Sequence, residues 1–268
     1  MKFGVIIIGD EILSGKRADK HLAKAIELLG ARGLQLAYAH YVGDEPERIT
    51  ATLAAAFASG DTVFSFGGIG ATPDDHTRQC AARALGKGLA LSDEAQGLIL
   101  QRMKEVAEEQ GQPFAPERPD NIHRLQMGMF PEGASIIPNP YNKIPGFSHA
   151  GAGQGRVYFV PGFPVMAWPM VEWALDSHCS DWFQAGAWAE QSVIVFGAME
   201  SLLTPLMEQL ERHHPVKVFS LPSVDHPQYG RHIELGVKGK PADLSAAYTE
   251  LLEGLRALEM PLGPELVH

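Results

Sequence analysis

Two adjacent carboxylates follow a cluster of glycines in this 268-residue sequence. The cluster begins at Gly67, directly after an apolar run, and leads through Asp74 and Asp75 to Thr77. A glycine-rich turn between a strand and a helix can lie close to a ligand, because no Cβ stands in the way. The free N–H groups at the start of the next helix suit a phosphate. Carboxylates beside phosphates are typical of magnesium sites, so this stretch indicates a phosphorylated ligand with a divalent cation.

Two further loops carry paired carboxylates after apolar runs. Asp10 and Glu11 follow the first run of the chain, and Asp44 and Glu45 follow the second. Ligands of open parallel sheets bind beyond the carboxyl ends of the strands. We therefore expect the three acidic loops to converge at one edge of a sheet.

Strands and helices alternate along the first two thirds of the chain, which predicts an α/β fold with a mostly parallel sheet and helices on both faces. The first helix is predicted to bury Leu22, Ile26 and Leu29. A capping pattern at Ser92 opens a long helix. Predicted strands cover residues 2–8, 34–42, 62–66, 133–137 and 156–160, and predicted helices cover 19–29, 78–85, 92–110, 121–126 and 164–175, with one more carrying Ile49, Leu53 and Phe57.

A second, smaller domain is predicted after a change of pattern between residues 180 and 186. We assign residues 1–178 to the α/β domain and 187–268 to a small α+β domain. Its predicted strands cover 191–196, 216–221 and 232–237, and its predicted helices cover 200–213 and 244–258.

Composition excludes several classes of protein. A net charge of −10 argues against a nucleic-acid-binding surface, which needs a basic stripe. Cys80 and Cys179 form neither a zinc pattern nor a disulfide framework, and are predicted to be core thiols. The first apolar run is too short for a signal peptide or a membrane span. We expect a cytoplasmic protein with neither nucleic acid nor membrane as a partner.

Taken together, the motifs resemble the molybdopterin-binding fold, and in particular the N-terminal domain of the competence/damage-inducible protein A type. Several separated motifs in the right order make this more specific than one glycine loop. The resemblance covers residues 1–175 well. It is carried by Gly67-Gly-Ile-Gly-Ala-Thr-Pro-Asp-Asp-His-Thr77, Gly9-Asp-Glu-Ile-Leu-Ser-Gly15, Val42-Gly-Asp-Glu-Pro-Glu-Arg-Ile49, Asn139-Pro140, Pro145-Gly146-Phe147 and Val160-Pro-Gly-Phe-Pro164.

The sequence departs from the family pattern in two loops. Ala71 stands where the family usually has proline, and Asn142-Lys143-Ile144 replaces a usual Gly-Thr-Ala. Full-length members also carry a C-terminal amidohydrolase domain. We do not expect that domain here, nor the nicotinamide-mononucleotide deamidase activity linked to it.

The resemblance implies a pocket for a phosphorylated pterin, such as molybdopterin, or a nucleotide diphosphate. It implies catalytic carboxylates at Asp75 and Asp44, and we place the metal on Asp75 with Asp74. Relatives are linked to pyrophosphatase activity on ADP-ribose or FAD with a divalent metal (Mg, Mn or Co), and they assemble as dimers or trimers. Ligand-binding residues are then expected at Gly67, Gly68, Gly70, Thr72, Thr77, Asp10, Glu11, Pro145 and Gly146.

Three functional hypotheses remain open from the sequence. The first is a metal-dependent pyrophosphatase acting on ADP-ribose, FAD or a similar dinucleotide. The second is a non-catalytic molybdopterin-binding or carrier protein, and the third is a regulatory module without a working pocket. Structural roles compete with the functional ones, since Asp74 and Asp75 also suit a helix N-terminus and Asp44 suits an N-cap. Lys16, Arg17 and Arg78 are either phosphate partners or surface residues.

Overall fold

The computed structural model describes residues 1–183 and 188–267 and divides the chain into two compact units, Met1–Phe183 and Gln184–His268. Residues 184–186 of the predicted boundary, and the predicted start of the second domain at 187, lie outside the described residues. Each unit has its own hydrophobic core and is described by itself.

The first unit is built on a six-stranded sheet. Its strands along the chain are β1 (Phe3–Ile8), β2 (Leu36–Val42), β3 (Thr62–Phe66), β4 (Leu89–Leu91), β5 (Met129–Pro131), β6 (Ser135–Ile137), β7 (Gly146–Ala150) and β8 (Arg156–Val160). The order in the sheet is β2-β1-β3-β8-β7-β6. The first four run parallel, whereas β7 is antiparallel to both of its neighbours. β4 and β5 form a separate antiparallel pair.

Helices cover both faces of this sheet, as predicted. They are α1 (Asp10–Leu13), α2 (His21–Gly30), α3 (Pro46–Ser59), α4 (Thr77–Leu85), α5 (Asp93–Glu109), α6 (Pro119–Leu125) and α7 (Pro164–His178). Side chains of β1 alternate between two cores: Val5 and Ile7 pack with α2 and α7, and Ile6 and Ile8 pack with α3 and α4. Burial on both faces explains the unbroken apolar runs.

Several details of the predicted pattern were wrong. Asp10–Leu13, predicted as part of a loop, forms the short helix α1, and β4 and β5 were not predicted. Ile26 is 53 % exposed, and α2 instead buries His21, Ala25, Leu28 and Leu29, a stripe shifted by one residue. β7 was not predicted, because its polar Ser148 and His149 do not form an apolar run. Both side chains are buried, since β7 lies between β6 and β8.

The second unit is an antiparallel sheet with two helices, which matches the predicted α+β class. It contains β9 (Ala189–Phe196), α8 (Glu200–His213), β10 (Lys217–His226), β11 (Gly230–Gly239), α9 (Pro241–Ala257) and β12 (Leu262–Val267). The strand order is β10-β11-β9-β12. β12 was not predicted because Gly263 and Pro264 are poor strand formers. At an edge of the sheet a proline is tolerated.

Cys80 and Cys179 are buried free thiols, as expected. Among the described helices, not one combines the length and the apolar character needed to cross a bilayer.

Candidate functional site

Four loops meet at the carboxyl edge of the parallel strands. They follow β2, β1, β3 and β8, which are neighbours in that order, so their ends lie side by side. The register also brings the 138–145 loop to this edge. Gly146 pairs with the end of β6, and the adjacent pair Phe147–Phe159 lies at the end of β8. The edge therefore collects the loops that the sequence singled out.

Asp10 and Asp44 link two of these loops through their backbone amides. The Asp10 N–H donates to Oδ2 of Asp44 at 2.9 Å, and the Asp44 N–H donates to Oδ1 of Asp10 at 3.2 Å. The neighbouring Glu11 lies 3.9 Å from the Arg17 guanidinium. This reciprocal pairing holds two carboxylates together, with other lone pairs remaining on each.

The charges that act on Asp44 show that a third loop lies near the Asp10–Asp44 pair. Burial raises the pKa of Asp44, and the negative charges of Asp10, Glu11 and Asp74 raise it further, against a hydrogen bond from the Asp10 amide. Asp74 belongs to the loop after β3, so the three acidic loops do converge. Their mutual repulsion would be relieved by a cation.

The carboxylates do not form a complete metal cage. Within residues 1–183 and 188–267, no three His, Cys, Asp or Glu side chains are grouped so that they could hold a metal ion. Magnesium usually takes one or two protein carboxylates and completes its shell with water and substrate phosphate. The Asp10–Asp44 pair fits that more open kind of site.

The glycine loop after β3 depends on the absence of side chains. Gly67 and Gly68 have φ angles of 96° and 69°, which favour glycine. A Cβ on Gly67 would lie 2.4 Å from the Ile8 carbonyl oxygen. The Gly67 N–H donates to the Val160 carbonyl at 3.0 Å, which ties the loop to the end of β8.

Asp75, the carboxylate predicted to be essential, is bonded within its own loop. Its Oδ2 accepts hydrogen bonds from the Thr72 backbone N–H at 2.8 Å and from the Thr72 hydroxyl at 2.5 Å. Asp74 and Thr72 are exposed, whereas Asp75 is half-buried. Metal binding by Asp75 and Asp74 stays a prediction, and in this conformation Asp75 shapes the turn that leads into α4.

Thr77 and Arg78 donate hydrogen bonds to the carbonyls of the glycine loop. The buried Thr77 donates its hydroxyl to the Gly67 carbonyl at 3.1 Å and its N–H to the Gly68 carbonyl at 3.0 Å. Arg78 is 4 % exposed and donates to the carbonyls of Ile69 and Gly70, the second at 2.6 Å. Burial lowers the pKa of Arg78, and the charge of Asp75 opposes this.

The buried position of Arg78 differs from both sequence interpretations, which made it a phosphate partner or a surface residue. One sequence signal was available. Arg78 lies three and four residues before Ala81 and Ala82, and therefore shares the buried face of α4. Its guanidinium donates hydrogen bonds to these two loop carbonyls, which have no strand or helix partner of their own.

The 138–146 loop is ordered by an internal amide. The buried Asn139 donates to Oδ1 of Asn142 at 2.8 Å and to the Ile144 carbonyl at 2.9 Å. Lys143 forms an ion pair with Glu105 of α5. Pro145 and Gly146 are buried, and a Cβ on Gly146 would lie 2.3 Å from the Phe159 carbonyl oxygen. Strand packing therefore accounts for Gly146.

His21 is a residue of this edge that sequence reasoning missed. Its ring stacks on Phe66 at a centroid distance of 4.5 Å, and its Nε2 lies 3.1 Å from the Gly162 carbonyl oxygen, which makes Nε2 the donor. Nδ1 is buried and has no hydrogen-bond partner among the described residues. Burial lowers the pKa of His21, against the Gly162 bond and the charge of Asp19. A lone histidine at the first position of a helix carries no motif that would have identified it.

Comparison with known proteins shows which proteins the chain is similar to. A family model described as a probable molybdopterin binding domain matches residues 4–178. A CinA-like protein of Citrifermentans bemidjiense is 32 % identical over 210 residues, which cover 78 % of this chain and 47 % of that protein. The chain thus spans about half the length of that relative. A protein of Pyrobaculum calidifontis is 30 % identical over 85 % of both chains.

Among solved structures, the chain is similar to the CinA protein of unknown function from Thermoplasma acidophilum. The TM-score is 0.55 at 26 % identity, and the match covers 66 % of this chain and 98 % of the other.

Proposed function

The chain belongs to the family of probable molybdopterin-binding domains, and we propose that it binds a phosphorylated pterin of the molybdopterin class at the carboxyl edge of its parallel sheet. The observation that carries this proposal is the glycine loop between β3 and α4. Its carbonyls accept hydrogen bonds from Thr77 and Arg78. The Gly67 and Thr77 amides are already bonded within the protein, so the other amides of the loop are the groups suited to a phosphate.

A divalent cation fits beside this loop. Asp10 and Asp44 would hold it with one carboxylate oxygen each, since their reciprocal amide bonds fix both side chains in place. When bound, the cation would neutralise phosphate charge and act as a Lewis acid. Asp44 favours its occupation, because burial and three neighbouring carboxylates raise the free energy of its ionised form in the absence of a cation.

A second candidate is hydrolysis of a dinucleotide diphosphate such as ADP-ribose or FAD. The specific observation in its favour is the Asp10–Asp44 carboxylate pair, which lies at the same sheet edge as the glycine loop. In this reaction Asp10 and Asp44 would keep their role of holding the cation. The glycine loop would hold the phosphate that is attacked, and Asp10 would keep Asp44 in position through the reciprocal bonds.

Calorimetric titration with molybdopterin, with and without magnesium, tests the first proposal. We expect wild-type protein to bind the pterin more tightly with magnesium, and Asp44→Asn to lose this dependence. Asp93→Asn, at an exposed position in the first turn of α5, is the matched control and should behave as wild type. Absence of binding by the wild-type protein under both conditions would refute the proposal.

Release of AMP from ADP-ribose or FAD, with Mg, Mn or Co, tests the second candidate. AMP that requires both the metal and Asp44 supports it, and Asp75→Asn shows whether Asp75 also takes part. Pterin binding without AMP release would leave the binding role and remove the hydrolytic one.

A further inference from the structure

The chemistry of the strand-end loops changes in a regular way across the sheet. The loops after β2 and β1 supply the carboxylates Asp44 and Asp10, and the loop after β3 supplies glycines. The loop after β8 supplies an aromatic ring, Phe163, which is 55 % exposed. From one side to the other, the edge thus carries carboxylates, glycines and an apolar ring in that order.

Phe163 is exposed although its backbone is firmly held. Pro164 restricts the residue before it to extended angles, and Phe163 has φ −93° and ψ 117°. Its carbonyl accepts from the amides of Met166 and Ala167, at 3.0 and 2.9 Å, as the first turn of α7 forms. A large ring on a fixed backbone presents apolar area with little conformational freedom left to lose on binding.

The turn that carries Phe163 also contacts the glycine loop. A Cβ placed on Gly162 would lie 3.6 Å from the Gly67 Cα, so the two loops are in close contact. His21 donates from Nε2 to the Gly162 carbonyl and stacks on Phe66, the last residue of β3. The buried Nδ1 of the same ring is an acceptor for which the described residues supply no donor.

We propose that Phe163 is the platform on which the planar ring of the ligand stacks, so that the ligand lies along the edge with its phosphate on the glycine loop and its heterocycle over the end of β8. This inference rests on the proposed function and adds the orientation of the ligand and its chemical class, a phosphorylated planar nitrogen heterocycle. Because β3 and β8 are neighbours in the sheet, the phosphate and the ring would occupy adjacent strand ends.

Binding measurements with three probes test the inference: molybdopterin, ADP-ribose and inorganic pyrophosphate, the last of which has no ring. Loss of a stacking surface typically weakens binding roughly 5- to 150-fold. Phe163→Ala should therefore weaken at least one ring-bearing probe by that factor, and leave pyrophosphate within about twofold. The ring-bearing probe with the larger loss identifies the ligand as pterin or nucleotide. Phe163→Trp should restore its binding.

Phe114→Ala is the control, because Phe114 is a similarly exposed phenylalanine, at 43 %, outside this edge. Equal thermal unfolding of the two alanine variants would show that both are folded. Unchanged affinity of Phe163→Ala for both ring-bearing probes would overturn the inference and leave the proposed function standing. Wild-type binding of pyrophosphate alone would overturn the inference but keep the phosphate loop. No binding of any probe would overturn both.

Discussion

Replacing Arg78 with methionine tests how the glycine loop is held. The Arg78 guanidinium is almost completely buried and donates to two loop carbonyls, those of Ile69 and Gly70. Methionine fills a similar volume but donates no hydrogen bond, so both carbonyls would lose their donor. The change therefore affects the hydrogen bonds more than the packing.

The expected loss follows from the number and kind of these bonds. A hydrogen bond from a charged donor contributes about 1.5–3 kcal/mol, and a buried group left unpaired costs about 1–3 kcal/mol. Removing a buried charge returns part of this, because its desolvation is no longer required. We expect Arg78→Met to lower the free energy of unfolding of the first unit by about 3 kcal/mol.

Urea denaturation followed by tryptophan fluorescence is a suitable assay, since Trp168, Trp173 and Trp182 all lie in the first unit and only Trp188 of the four tryptophans lies in the second. Arg83→Met, on the same helix, is the matched control. The Arg83 side chain is 58 % exposed and forms a 3.8 Å ion pair with Glu47, so its loss should cost less than about 0.5 kcal/mol.

Arg78→Lys separates charge from geometry. Lysine keeps the charge but lacks the planar fork that reaches two carbonyls. It should recover only part of the loss. If Arg78→Met were as stable as Arg83→Met within about 0.5 kcal/mol, the inferred role of Arg78 would be refuted.

Three more predictions follow from other contacts. Gln209, His214 and His213 lower the pKa of Glu250 to about 2, from 4.5, so ionised Glu250 stabilises the second unit above about pH 4.5. This stabilisation should be lost as pH falls from 4.5 towards 2 and be absent in Glu250→Gln, as measured by hydrogen exchange of α9 amides. Ser92 accepts a hydrogen bond from the Ala95 amide at 3.3 Å, so Ser92→Ala should cost about 1 kcal/mol in urea denaturation while Ser92→Asp should not. Asp44→Asn should weaken manganese binding at least roughly 10-fold, since loss of even an outer-shell partner typically costs that much. A titration followed by electron paramagnetic resonance measures this, and equal affinity would remove Asp44 from the cation site.

Periodicity and turn chemistry were sufficient to predict most of the fold. The apolar runs of β1 and β3 and the proline at the start of α3 follow local rules, and the structure has all three elements. β7 was not predicted, because it depends on its neighbours in the sheet and follows no local rule. Its buried Ser148 and His149 form a strand because β6 and β8 pair with it on either side.

The candidate site was predicted in part. The sequence placed glycines and carboxylates after the correct strands, and strand order then decided which of them meet. The sequence did not predict that Asp10 and Asp44 each accept a hydrogen bond from the other's backbone amide. Nor did it predict that Asp75 bonds within its own loop. Those bonds depend on loop conformations that no short-range pattern encodes.

By itself, the sequence determined the alternation of strands and helices, the place of the glycine loop and the family resemblance, because these depend on residue types at short spacing. Only the tertiary structure decided the roles of Arg78, His21 and Phe163. Arg78 is buried because unpaired loop carbonyls need a donor, and His21 because α2 begins against the ends of β3 and β8. Phe163 is exposed at the sheet edge, on a backbone that Pro164 restricts. Each role arises from neighbours distant along the chain, and such neighbours exist only once the sheet has formed.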